Sequence, residues 1–344
     1  MNTQIFKTDP NNIDLCSIKQ CADIIKSGGL VAFPTETVYG LGADATSKAA
    51  STKIYAAKGR PSDNPLIIHI SSPNDAERYA YTSSLYYKLA KAFMPGPLTV
   101  ILPKKDTVPD EVTGGLDSVA LRCPSHEVAR ALIAASGVPI AAPSANTSGS
   151  PSPTSAQHVV NDMNGKIDAV IDGGECEIGL ESTIVKLDQD KAILLRPGAV
   201  TIDALECVCE RVELSSAITQ ALAENERPLS PGMKYRHYAP TSPLVLLDGN
   251  YKNVAQFLYN AAKYENCVIL CYSEELDMLW GAKLIDVGAR NDMQTQAKRL
   301  FSALRQADTM GADIIYAHLP TLDGLGLALY NRMIRAAAHT IKKV

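Results

Sequence analysis

The sequence predicts an α/β protein in two parts: a domain over residues 1–210 built on a twisted mixed sheet with flanking helices, and a small parallel α/β domain over residues 244–344. Two observations carry this reading. Apolar runs suited to buried strands recur through the first 210 residues, but several lie too close together for a helical crossover, so antiparallel hairpins must be mixed with parallel pairs. After residue 244, short apolar runs alternate with helical patterns, the signature of a parallel sheet. Length and composition agree: 344 residues suit two domains, and 46% hydrophobic with 20% charged residues is the balance of folded chains.

The first element is an amphipathic helix over 14–26, with Leu15, Ile18, Ala22 and Ile25 on one face, Asp14 capping its start and Gly28 ending it. Strands are expected at 29–33, 66–70, 98–102, 119–122, 138–142, 169–171, 184–187 and 192–195, the last two forming a hairpin. From 211 to 243, Pro228, Pro231, Pro240 and Pro243 interrupt a polar stretch that reads as an interdomain linker. Beyond it, strands at 244–247, 267–271, 283–287 and 314–317 alternate with helices near 252–264, 291–308 and 326–341.

Composition excludes several classes of function. The net charge of −4 and 6% aromatic residues count against a non-specific nucleic-acid binder, which needs a basic face and stacking platforms. No stable nucleic-acid binding is expected. The eight cysteines form no C-x-x-C pair, Cys207 and Cys209 being the nearest approach, and read as free thiols in a reducing cytoplasm. Residues 1–10 hold no apolar leader and no run approaches the length of a membrane span. A cytoplasmic protein without membrane contact is the expectation.

The chemistry concentrates in loops that follow apolar runs. Lys58-Gly59-Arg60-Pro61-Ser62-Asp63-Asn64-Pro65-Leu66 sets two cations among glycine and prolines, a combination suited to a polyphosphate. Alone, such a pair is more often solvated surface. Thr35 and Thr37 lie just past the first apolar run, where open α/β sheets bind ligands, although a capped strand-to-helix turn explains them equally. Ser144, Asn146 and Ser152 belong to a small-residue loop after the run at 138–142, and Ser182 to a third loop of the same character, both able to present N–H and hydroxyl donors to phosphate. Arg122 and Arg196 each end an apolar run, and Arg122 suits a substrate carboxylate. His69, inside a strand, reads on its own as a core histidine. The remaining histidines lack metal-ligand spacing, so no metal site of protein side chains is expected and any metal should arrive with a nucleotide. There is no Walker A loop, Gly324-Leu325-Gly326 falls short of a dinucleotide fingerprint, and no Gly-x-Ser-x-Gly elbow occurs.

Taken together, Pro34-Thr35-Glu36-Thr37-Val38-Tyr39-Gly40-Leu41, Lys58-Gly59-Arg60-Pro61, Asn64-Pro65-Leu66, Pro95-Gly96-Pro97, Arg122-Cys123-Pro124, Pro143-Ser144-Ala145-Asn146, Glu181-Ser182-Thr183 and Arg196-Pro197-Gly198 resemble the threonylcarbamoyl-AMP synthases of the YrdC-like family. The resemblance runs from residue 1 to about 210. It continues through Ser230-Pro231-Gly232-Met233-Lys234-Tyr235-Arg236-His237-Tyr238-Ala239-Pro240, which marks the long version with a Rossmann-like C-terminal domain. It implies condensation of L-threonine, bicarbonate and ATP, with Mg²⁺, into threonylcarbamoyl-AMP and pyrophosphate, the product passing to a tRNA threonylcarbamoyl-transferase complex. By motif it assigns L-threonine to Thr35, His69, Arg122, Ser182 and the backbone of Ala142. It assigns ATP to Lys58, Arg60, Asn64, Ser144, Asn146, Ser152, Arg196 and Tyr235, with Val119 able to serve only through its backbone. Lys58 and Arg60 take the catalytic role, and the linker over 211–243 becomes the candidate lid, its 234–238 run folding over the pocket. The rival readings are a non-catalytic RNA-binding module and a hydrogenase-maturation carbamoyltransferase. The second predicts added zinc-binding cysteine motifs, which the sequence lacks.

Overall fold

Each apolar run that the sequence marks as a strand enters one of two sheets. The structure, a computed structural model, describes residues 2–218, 229–230 and 237–344. The described residues fall into two compact units. The second takes in residues 237–344 together with Gly149–Pro151 and Ile178–Leu180, and the first takes in the rest.

Among the described residues, the first unit holds an 11-stranded sheet. Its spatial order is Gln4–Lys7, Ala169–Asp172, Val31–Phe33, Gly40–Asp44, Ile140–Ala142, Ile67–His69, Ser118–Arg122, Leu98–Pro103, Thr183–Asp188, Lys191–Arg196 and Arg211–Leu214. Pairing is mixed, as the short connections predict: Ile67–His69 runs parallel to Ser118–Arg122, which runs antiparallel to Leu98–Pro103. Thr183–Asp188 and Lys191–Arg196 form the expected antiparallel hairpin, with a register shift between Leu194 and Arg196.

The opening helix is Leu15–Lys26, with the Asp14 carboxylate accepting from the Cys16 N–H and Gly28 in the left-handed region at φ 76°. Ile18, Cys21, Ala22 and Ile25 form its buried face. They pack against Val128, Ala129, Leu132 and Ile133 of the helix Glu127–Ser136 over Val31, Phe33 and Ile140. Leu15, expected on that face, is 72% exposed, because the first residue of the helix lies beyond the edge of the layer it covers. A second apolar cluster of Ile67, Ile101, Ala120, Ile184 and Leu195 packs further along the sheet.

Three strands of this sheet escaped the sequence reading. Gln4–Lys7 and Arg211–Leu214 are exposed edge strands with no apolar run to announce them, the latter within the stretch read as linker. Gly40–Asp44 carries two glycines, which ordinarily argue against a strand. They are required here: a Cβ on Gly42 would sit 2.6 Å from Ile140 Cγ2 and 2.8 Å from Phe33 Cε1. The segment after Phe33 therefore returns as an antiparallel strand, Val31–Phe33 pairing with Gly40–Gly42, rather than entering a helix.

The second unit holds five strands, all parallel, in the order Lys283–Asp286, Cys267–Cys271, Ile314–His318, Leu244–Asp248 and Ile341–Lys343. The helices Tyr251–Tyr264, Met293–Thr309 and Gly326–Ala336 connect them. The last helix ends five residues short of the expected 341: Ala338 and His339 turn left-handed at φ 46° and 63°, and Ile341–Lys343 becomes an edge strand. Among the described residues no helix is long and apolar enough to cross a membrane.

Candidate active site

Register builds the centre of the site. His69 pairs with Arg122, Arg122 with Thr99, Thr99 with Ile184 and Ile184 with Arg196, so residues distant in sequence form one row across five adjacent strands. Paired residues share a face, and this row therefore lies beside the apolar row Ile67, Ala120 and Ile101 on the same face. His69, Thr99, Arg122 and Arg196 are all buried. Val119 is buried too, but alternation points its side chain away from the Arg122 face, and its strand partner is Leu102. The structure does not bring that side chain to the row.

The loop after Val31–Phe33 closes over one end of the row. Thr35 Oγ1 donates to the Val38 carbonyl at 2.7 Å and accepts from the N–H groups of Thr37 and Val38, a local turn with no helix behind it. It also lies 3.5 Å from Arg122 Nη2. Glu36 Oε1 is 2.7 Å from the same Nη2, and both side chains are 4% exposed. Arg122 Nε and Glu36 Oε2 are buried with no hydrogen-bond partner among the described residues, as is Asn64 Oδ1. Buried polar atoms are nearly always matched, so the unmatched atoms of the Glu36–Arg122 pair mark a place built for something else.

At the other end, Arg196 grips the third loop, its Nε donating to the Ser182 carbonyl at 3.0 Å and its Nη2 to Ser182 Oγ at 3.1 Å. Thr99 Oγ1 lies 2.7 Å from Ser182 Oγ. Ser152 Oγ donates to the Glu181 carboxylate, tying the second loop to the third. Gly198 permits this closeness: a Cβ there would stand 2.6 Å from Thr183 N and 2.9 Å from the Glu181 carbonyl.

Lys58 and Arg60 lie where the helix Lys48–Lys58 ends, Gly59 turning left-handed at φ 62°. The Lys58 ammonium is 2% exposed and donates to the Ser144 carbonyl at 2.6 Å, to the Asn146 carbonyl, and to Asn146 Oδ1 at 3.5 Å. Ser144 Oγ donates to the same Oδ1. Arg60 donates to the Asn64 and Pro65 carbonyls and braces its own loop. Ala142 pairs with Ile67 and leads straight into the Ser144 loop, which is stitched to the Thr35 loop by Leu41 N–H to Pro143 O and Ala145 N–H to Tyr39 O. Buried Tyr39 completes the weave, its hydroxyl donating to Gly174 O at 2.6 Å.

The sequence-derived candidates thus assemble as two linked groups. Thr35, His69, Arg122, Ser182 and Arg196 form one, joined through Glu181 to Ser152. Lys58, Arg60, Asn64, Ser144 and Asn146, with Ala142 leading in, form the other. Tyr235 lies outside the described residues, as do 219–228 and 231–236 of the 211–243 lid candidate. Glu36, Thr99 and Glu181 were absent from the candidate set. Glu36 and Glu181 stand inside quoted motifs and are the signal that was available, whereas Thr99 looks like any strand threonine until register sets it beside Arg122. A groove of about 1040 Å³ lies elsewhere, at the start of the strand whose far end leads to Thr35. Its lining balances Lys53 and Lys166 against Asp23 and Asp168.

Electrostatics at the row favour neutral imidazole. Burial, reinforced by the Arg122 charge, pushes His69 down from 6.5 to about 3. Its Nδ1 donates to the Ile67 carbonyl at 3.1 Å. Unfolded chains take up the proton below 6.5 and the folded one does not, so this residue costs stability as pH falls through that window. Between pH 6.5 and 5 the wild type should lose about 2 kcal/mol more than His69→Gln in urea unfolding, and parallel pH profiles would refute the assignment. Burial also holds the thiols of Cys123 and Cys21 up at about 11 and about 12, leaving neither as a nucleophile at neutral pH.

A family model described as telomere recombination (Sua5, YciO and YrdC) matches residues 23–198, and one described as threonylcarbamoyl-AMP synthase, C-terminal domain, matches residues 200–338. The threonylcarbamoyl-AMP synthase of Bacillus subtilis is 43% identical over 97% of this chain and 96% of its own length. The one of Pyrococcus abyssi is 44% identical over 96% and 97%. The crystal structure of P. abyssi Sua5 complexed with L-threonine superposes with a TM-score of 0.92 at 42% identity, covering 99% of this chain and 100% of that one. On this likeness over nearly its whole length, the chain belongs to the threonylcarbamoyl-AMP synthase family.

Proposed function

We propose that this chain condenses L-threonine, bicarbonate and ATP into threonylcarbamoyl-AMP and pyrophosphate in the cytoplasm, and that the product goes to a tRNA-modifying transferase. The observation that carries the reading is the buried Glu36–Arg122 pair, with Arg122 Nε and Glu36 Oε2 unmatched, set among three loops tied to one another. Threonine's carboxylate takes the open Nε edge of Arg122, beside the Ser182 hydroxyl and the turn at Thr35. Its amine condenses with bicarbonate, releasing water. A carbamate oxygen then attacks the α-phosphorus of ATP, the bond to the β-phosphate oxygen breaks, and pyrophosphate leaves. No covalent intermediate on the protein is needed, so catalysis rests on position and charge.

Lys58, Arg60 and Arg196 supply the cations for the triphosphate, with Asn64, Ser144, Asn146 and Ser152 around it. Mg²⁺ enters as part of the ATP substrate. A cation carried on the phosphates would find a hard carboxylate oxygen in Glu181, which accepts from Ser152 Oγ.

Purified protein given ATP, Mg²⁺, bicarbonate and labelled L-threonine should yield threonylcarbamoyl-AMP in a reaction that stops when threonine or bicarbonate is withheld, and Arg60→Ala should slow it roughly 100-fold. Because the row offers polar partners to the substrate hydroxyl, valine should be used at least about 100-fold less well. Wild-type protein that binds ATP and threonine without making product would sink the reading.

A further inference from the structure

We infer that Thr99 is a positioning residue that fixes Ser182 as a hydrogen-bond donor toward threonine, and that Arg196 ties this device to the ATP side of the site. The inference rests on the function proposed above. Hydrogen counting carries it. Arg196 Nη2 can only donate, so one lone pair of Ser182 Oγ is taken at 3.1 Å. Thr99 Oγ1, fully buried, has Ser182 Oγ at 2.7 Å and no other partner among the described residues. The two hydroxyls and the guanidinium thus leave one O–H hydrogen without an acceptor in the protein. Of the two directions open to that contact, the one with Thr99 donating occupies both lone pairs of Ser182 and leaves the spare hydrogen on Ser182, ready for an incoming oxygen.

That oxygen has a natural source. Thr99, which holds Ser182, stands opposite Arg122 in the antiparallel register and on the same face, and the Arg122 guanidinium has an unmatched Nε. A carboxylate accepting from Arg122 and from Ser182 satisfies all three groups at once. A bare serine would rotate its hydroxyl to whatever acceptor came near. Thr99 removes that freedom, and Arg196, bonded to both the carbonyl and the hydroxyl of Ser182, makes the threonine donor sensitive to whatever the arginine binds.

The test is a comparison of Thr99→Val, which keeps the shape and loses the hydroxyl, with Thr99→Ser, which keeps the hydroxyl. Steady-state product formation should show the threonine KM of Thr99→Val raised about 10-fold with the ATP KM within about twofold of wild type, and Thr99→Ser within about threefold of wild type on both. Unfolding by urea, run on the same preparations, separates a folding defect, which would depress kcat for both substrates together. An unchanged threonine KM in Thr99→Val, or an equal loss in Thr99→Ser, overturns the inference while wild-type turnover still upholds the synthase reading. Absence of wild-type product takes both down.

Discussion

Replacing Lys58 by methionine is expected to reduce threonylcarbamoyl-AMP formation by a factor on the order of 1,000 and to lower stability by about 2 kcal/mol. Both effects follow from one geometry. The ammonium sits at the end of a helix, 2% exposed, with the Ser144 and Asn146 carbonyls and Asn146 Oδ1 as acceptors. Methionine fills the volume and satisfies none of them, so buried carbonyls lose their donor and the loop that should flank the phosphates loses its brace. Arginine does not rescue: its planar fork is too wide for a seat shaped around a compact point charge. Turnover of Lys58→Met near that of wild type, with the loop still ordered, would remove Lys58 from the catalytic role.

The second large effect concerns Glu36 and Arg122. Their ion pair at 2.7 Å is 4% exposed on both sides, and a buried pair broken on one side leaves a charge without compensation. Glu36→Gln and Arg122→Met should each lose about 3 kcal/mol in urea unfolding, whereas the double variant loses less than either added to the other. Threonine should stabilise Glu36→Gln detectably, since its carboxylate supplies the missing counter-charge to Arg122. Additive losses in the double-mutant cycle would show that the two groups do not act as a pair.

Much of this molecule could be read from residue order. The runs behind Ile67–His69, Leu98–Pro103 and Ser118–Arg122 are continuous and apolar because those strands are buried on both faces along most of their length, and burial is what a sequence reports most directly. The motif loops were equally legible, since proline, glycine and small hydroxyl residues after such runs mark where the backbone leaves the sheet. What chain order could not supply is partnership. Gly40–Asp44 is a strand in which Phe33 and Ile140 leave room at Gly42 for glycine alone, and of these two Ile140 lies about a hundred residues away. Glu36 meets Arg122, and Thr99 meets Ser182, across separations of 86 and 83 residues, the latter through a single pair of oxygen atoms. His69 shows the division most plainly. Its place in a strand was readable, and so was its candidacy, but the neutral imidazole follows from standing in register beside Arg122 with water excluded. Sequence by itself determined which segments are buried and which loops carry chemistry, because those depend on local composition and period. The tertiary structure alone decided which polar groups face one another, because register sets each side chain's neighbours and burial sets the strength of their interaction.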